Sequence, residues 1–136
     1  MDCGLRWPGG DALDDFRIEP IVIHSDARGS LYKLHPDAVA GEVYAVRTGP
    51  GSSRGHHFHL EMGEWFTAVE GRGILVCVDP STGQRQEASL NGQRVYVPKG
   101  CAHAIFNQGD DDLVILAFAE GPHNPEDVHP FPVTPP

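Results

Sequence analysis

The 136-residue sequence predicts an all-β protein, built as a sandwich or closed barrel of about ten short strands. The 16 Gly and 12 Pro residues separate short segments that are rich in Val, Ile, Tyr and Phe. No segment carries the apolar stripe of an amphipathic helix. Ten strands in one flat sheet would leave edges and a whole face uncovered, so the sheet must close or fold onto a second one. The length fits one domain.

The predicted strands follow from apolar runs bounded by turn residues. The sequence Asp-Pro-Ser-Thr-Gly at 79–83 supplies a tight reversal, because Pro fixes φ and Gly accepts a positive φ. Asn-Gln-Gly-Asp at 107–110 does the same before the last strand. We expect strands at residues 18–24, 30–34, 42–47, 54–59, 64–70, 73–79, 84–89, 93–97, 102–107 and 113–118.

Three segments are expected along the chain. Residues 1–15 are rich in Gly and Asp and are predicted to be loosely ordered, whereas 16–120 form the barrel. Residues 121–136 contain six prolines, which cannot donate hydrogen bonds inside a central strand. We therefore expect this tail to run extended over the barrel or toward a partner subunit.

Charge and cysteine content exclude several function classes. A formal charge of -9 argues against a nucleic-acid backbone or an anionic membrane as the main partner. The chain shows neither a secretory leader nor a run of about 18 apolar residues. Its three cysteines, Cys3, Cys77 and Cys101, are widely spaced and odd in number, which does not suggest a disulfide framework. These observations predict a soluble, cytoplasmic protein with a small-molecule substrate.

Four residues have the types and spacing of a metal site. In a strand, alternate side chains share a face, so His57 and His59 point together. The connection at 60–63 is short enough to return Glu64 to the same point, and a Pro-Lys-Gly turn at 98–100 precedes His103. One histidine alone would more often be an ordinary polar residue at a barrel mouth. Together the four predict a site for Zn, Fe, Mn, Ni, Co or Cu with open coordination positions.

The two segments carrying these residues resemble the cupin superfamily. The first reads GxxxxxHxHxxxxExxxxxxG from Gly51 to Gly71, and the second reads GxxxxxPxGxxHxxxN from Gly92 to Asn107. The resemblance implies a double-stranded β-helix, or jelly-roll barrel, and a homodimer. Flanking residues (DARGSL at 26–31, RGHH at 54–57) look like deoxysugar-nucleotide cupins, especially the C-terminal domain of capsular-polysaccharide reductases.

That resemblance implies an enzyme acting on a nucleotide-activated 4-keto-6-deoxysugar. In metal-free epimerases of this group the residue matching His57 is the general base, and the position of Glu64 holds Lys; related ketoisomerases have Gln there. A metal can replace the Lys ammonium in stabilising an enolate, so we expect epimerisation or isomerisation through an enediolate. If His57 and His59 bind a metal, they cannot serve as the proton-transferring acid and base, so other residues near the site must take these roles.

Several residues are candidates for the remaining roles. Tyr96 and His56 are the predicted catalytic residues, with Tyr44, Tyr32 and Glu61 as further possibilities. Arg54 and Arg28 are expected to bind a diphosphate through bidentate hydrogen bonds, although surface ion pairs would explain both. Two other functions fit the same residues: an Fe(II) dioxygenase of a small molecule, and a sugar-binding or sensor module without catalysis.

Overall fold

The computed structural model describes residues 12–136 and confirms the all-β class. Within these residues the only helical element is a 3-10 turn at Pro125–Asp127. The strands are β1 Arg17–Pro20, β2 Val22–Asp26, β3 Gly29–Lys33, β4 Val43–Thr48, β5 Ser53–Phe58, β6 Glu64–Glu70, β7 Gly73–Val78, β8 Arg85–Ser89, β9 Gln93–Val97, β10 Ala102–Asn107, β11 Leu113–Ala119 and β12 His129–Pro130. No helix in 12–136 has the length and apolarity needed to span a membrane.

Ten of these strands form two five-stranded antiparallel sheets. Their orders are β1-β9-β6-β11-β4 and β12-β5-β10-β7-β8. Between them lies the main core, to which both sheets contribute; Leu75 and Val95 are completely buried there. Alternation along β9 sends Val95 and Val97 into this core and leaves Tyr96 on the outer face.

The C-terminal tail covers the outer face of the second sheet. Phe131 and Val133 pack in a smaller cluster with Val76, Phe58 and Phe106. β12 pairs with β5 at the sheet edge, where proline is tolerated. The tail is thus extended over the barrel. The N-terminal segment predicted at 1–15 lies mostly outside the described residues 12–136. The proposed domain boundaries stay a prediction.

The N-terminal part differs from the expected single strand at 18–24. The chain pairs with β9 up to Pro20, and Ile21 donates a last hydrogen bond to Gly92 O at 3.2 Å. β2 then leaves the sheet and forms a separate hairpin with β3. All residues of both hairpin strands are exposed, including Ile23 and Leu31.

Candidate functional site

A bulge in β5 sets the direction of the first two predicted ligands. His57 pairs with His103 on β10, but Ala104 pairs with Gly55, so His56 is the extra residue of the bulge. Gly55 and His56 both have positive φ, 103° and 59°. A Cβ at Gly55 would lie 2.8 Å from His103 O, so only glycine allows β5 to approach β10 this closely.

The four predicted ligands lie together at one end of the barrel. One nitrogen from each of His57, His59 and His103 falls within 4.8 Å of the others. Glu64, the first residue of β6, places Oε1 3.4 Å from His59 Nε2. His59, His103 and Glu64 are buried and His57 is half-buried. The structure therefore brings the three histidines together and places Glu64 beside His59, outside the mutual 4.8 Å group, while a bound metal stays a prediction.

Hydrogen bonds orient His59 within this cluster. Its Nδ1 is 2.7 Å from the backbone carbonyl oxygen of Asp127, in the 3-10 turn. A carbonyl oxygen can only accept, so Nδ1 carries the hydrogen and Nε2 faces Glu64. Tyr44 from β4 donates its hydroxyl to the other carboxylate oxygen, Glu64 Oε2, at 2.6 Å.

Burial favours the neutral forms of His57 and His103, whereas His59 and Glu64 favour each other's charged forms. Burial lowers the pKa of His103 to about 4, and burial together with the neighbouring His59 lowers the pKa of His57. Burial also opposes charge on Glu64, but its hydrogen bond with His59 and the nearby His103 outweigh this and lower its pKa. For His59, the bonds to Glu64 and the Asp127 carbonyl outweigh burial and raise the pKa.

Two hollows adjoin the cluster. The outer one has a volume of about 340 Å³ and is bordered by Tyr44, His57, His59, Glu64, Glu42 and His123 among others. The inner one, about 190 Å³, lies between Arg54, His57, Phe66 and His103. A small polar ligand could thus contact the cluster and an arginine together. A larger open hollow, about 580 Å³, lies at the β2–β3 hairpin, away from these groups.

The other predicted site residues are dispersed. Arg54 borders the inner hollow beside His57. Arg28 lies at the hairpin turn, where its guanidinium is 2.7 Å from the Asp26 carboxylate.

Neither predicted catalytic residue borders the two hollows. The Tyr96 hydroxyl donates to Glu120 on the outer face of the first sheet, because strand alternation turns it away from Val95 and Val97. The bulge turns His56 toward the tail, where its Nδ1 accepts from Val133 N at 3.1 Å.

Three residues near the cluster were not predicted from the sequence: Glu42, His123 and Asp127. Asn124 followed by Pro125 is a recognisable turn signal, and Asn124 does accept a hydrogen bond from Glu126 N. That signal locates a turn but not the strand it packs against.

Comparisons with known proteins agree with this fold. The family model for the polysaccharide biosynthesis C-terminal domain matches residues 24–131. A UDP-2-acetamido-2,6-beta-L-arabino-hexul-4-ose reductase from Pseudomonas aeruginosa is 29% identical over 109 residues, which cover 78% of this chain and 29% of the reductase. A glucose-6-phosphate isomerase from Pyrococcus furiosus is 26% identical over 76% of this chain and 51% of that protein.

A solved structure with low sequence identity to this chain has the same fold. The dTDP sugar isomerase from Desulfovibrio desulfuricans superposes with a TM-score of 0.81 at 16% identity, over 88% of this chain and 85% of that one. The chain thus spans under a third of the reductase and about half of the glucose-6-phosphate isomerase. On this evidence the chain belongs to the polysaccharide biosynthesis C-terminal domain family and has the cupin jelly-roll fold.

Proposed function

We propose that this protein is an enzyme that epimerises or isomerises a keto-sugar carried on a nucleotide, using a divalent transition metal held by His57, His59, Glu64 and His103. The single observation that carries the proposal is the meeting of three imidazoles beside a hollow, with a carboxylate next to one of them. The relatives support the substrate class, because they include a UDP-sugar reductase, a dTDP-sugar isomerase and a sugar-phosphate isomerase.

The donor set suits such a metal. Imidazole and carboxylate are the ligands taken by Zn, Fe, Mn, Ni, Co or Cu in proteins without a thiolate cage. The His59 Nδ1–H group is bonded to a backbone carbonyl, as the outer nitrogen of a metal-binding histidine usually is. When bound, the metal would act as a Lewis acid that stabilises negative charge on a sugar carbonyl oxygen.

Proton transfer then falls to side chains outside the ligand set. His123 borders the outer hollow from the tail, and imidazole is the side chain that most often carries protons in enzymes. Burial and the adjacent Glu64 raise the pKa of Tyr44, so its hydroxyl stays protonated and orients the carboxylate. We infer that His123, rather than Tyr96 or His56, exchanges the proton beside the sugar carbonyl.

Arg54 is the proposed phosphate-binding residue. It borders the inner hollow beside His57, and within residues 12–136 it forms no ion pair with an acidic side chain. A guanidinium binds phosphate oxygens in a bidentate manner. Arg28 lies on the hairpin, so it would meet a substrate only where that hairpin reaches a neighbouring copy.

We also propose that the protein is a homodimer. The β2–β3 hairpin exposes Ile23, Leu31 and Tyr32, and an isolated two-stranded hairpin is marginally stable in water. β4 leaves one edge of the first sheet open, with Val43 51% exposed. Covering these surfaces with a second copy would bury the apolar side chains and complete the edge.

The deciding experiment is solvent deuterium incorporation into a panel of keto-sugar nucleotides, under anaerobic conditions and after metal analysis. We expect incorporation by wild type and its loss in Glu64→Gln. Glu70→Gln changes an exposed carboxyl at the other end of the same strand and should keep full activity. Turnover that requires oxygen would indicate the dioxygenase. Tight binding of the sugar without incorporation would indicate a sensor module, and either result refutes the proposal.

A further inference from the structure

We propose that Asp127 is a positioning residue: through the 3-10 turn that it anchors, it selects the tautomer of His59 that can bind a metal. This inference rests on the proposed metal site. Asp127 is 6% exposed and far from His59 in sequence. It lies in the C-terminal tail, outside both cupin motif segments.

The Asp127 side chain fixes the backbone that follows His59. Its two carboxylate oxygens accept hydrogen bonds from Leu60 N and Glu61 N, both at 2.9 Å. His129 Nε2 lies 3.1 Å from one of the same oxygens. The carboxylate thereby ties the turn to the start of the connection that leads to Glu64.

The turn is also fixed from its own side. Asn124 caps it by accepting from Glu126 N at 3.0 Å, and its side-chain amide donates to Glu61 Oε1 at 2.9 Å. Pro125 occupies the first position, where its ring matches the required φ. With the turn held at both ends, the Asp127 carbonyl oxygen stays 2.7 Å from His59 Nδ1.

That carbonyl decides between two neutral forms of His59. With hydrogen on Nδ1, the lone pair is on Nε2, the nitrogen on the Glu64 side of the ring. With hydrogen on Nε2, the ring would instead donate to Glu64 Oε1, 3.4 Å away, and would offer no lone pair to an ion there. A backbone carbonyl cannot donate, so it stabilises only the first form.

The test compares Asp127→Ala and Asp127→Asn with Glu126→Gln, a matched change to an exposed side chain in the same turn. Two-bond proton–nitrogen correlation spectra of metal-free protein, recorded above the raised pKa of His59 so that the ring is neutral, read the tautomer, with His59→Gln assigning the signal. We expect hydrogen on Nδ1 in wild type and Glu126→Gln, and a shift toward the other tautomer in Asp127→Ala. Zn(II) affinity, measured by competition with a chelating dye, should fall about 10- to 100-fold in Asp127→Ala.

Asp127→Asn keeps one acceptor oxygen and should give a smaller change in both readouts; it also serves if Asp127→Ala does not fold. The inference is overturned if folded Asp127→Ala keeps hydrogen on Nδ1 to the same extent as wild type, or if it binds Zn(II) within about threefold of wild type. The spectra need neither substrate nor metal. Absence of isomerase activity, or of Zn(II) binding by wild type, would therefore refute the proposed function while the tautomer measurement still decides this inference.

Discussion

Gly55→Ala should push β5 away from β10 at the point where His57 and His103 face each other. The φ of Gly55 is 103°, and a new Cβ would lie 2.8 Å from His103 O and 3.1 Å from the Cα of Ala104. Both are backbone atoms, which cannot rotate aside as a side chain can. The two strands must separate, and the separation changes the distance between their histidines.

The structure supplies both a magnitude and a control. A non-glycine residue in such a sparsely populated region costs about 1–3 kcal/mol, and overpacking against neighbouring atoms adds about 1–3 kcal/mol. Gly51 also has positive φ, 74°, but a Cβ there would meet nothing within 4 Å. Gly51→Ala should therefore show the backbone cost alone, about 1–2 kcal/mol.

Urea unfolding of the metal-free variants measures the first effect, and Zn(II) competition measures the second. We expect Gly55→Ala to be less stable than Gly51→Ala by about 1–3 kcal/mol and to bind Zn(II) more weakly, because the close contact is added to the φ cost. If the two variants agree within about 0.5 kcal/mol, the resolution of such comparisons, and both keep wild-type Zn(II) affinity, then the bulge does not set the spacing of the histidines.

Three further outcomes are expected. Burial alone would raise the pKa of Asp127, but hydrogen bonds from Leu60 N and Glu61 N hold it below its ordinary value. The stability that this carboxylate contributes at neutral pH is therefore lost as the pH falls through the lowered pKa, and the urea midpoints of wild type and Asp127→Asn should converge below it. Leu31→Asp, on the exposed hairpin, should give monomers in light scattering, and a persisting dimer would refute the proposed interface. His123→Gln should lower kcat about 100-fold or more without changing Zn(II) affinity; unchanged kcat would remove its proposed role.

Much of the sheet structure was predictable because turn residues bound each apolar run. β6, β9 and β10 begin and end at the predicted residues. The prediction failed at 18–24, where β1 and β2 pair with different partners. Pro20 was a usable signal, since proline inside a run marks an edge or an end. The departure of the hairpin from the sheet depends on long-range packing, which no local pattern contains.

The ligand cluster was predicted from residue type and spacing, and the structure brings its three histidines together with Glu64 next to His59. The sequence contained some information on the orientations of Tyr96 and His56. Tyr96 stands between two valines of an alternating strand, which already indicates the opposite face. The orientation of His56 depends on a bulge, and the preceding Gly55 is only a weak sequence signal for one. His123 and Asp127 come from a tail without strand periodicity, so their contacts required the structure.

Position 64 determines which charge the cluster attracts. Glu64 is 3% exposed, and a hydrogen bond from Tyr44 compensates its burial, with His59 Nε2 3.4 Å from its other carboxylate oxygen. Beside three imidazoles, of which burial keeps His57 and His103 neutral, one carboxylate gives a site that favours a cation. A Lys there, as in the epimerases that the sequence resembles, would make the same site attract an oxyanion directly. In the proposed reaction either arrangement would stabilise an enolate, one through a bound ion and one through an ammonium. The exchange at this position can therefore change the cofactor requirement while the reaction class stays the same.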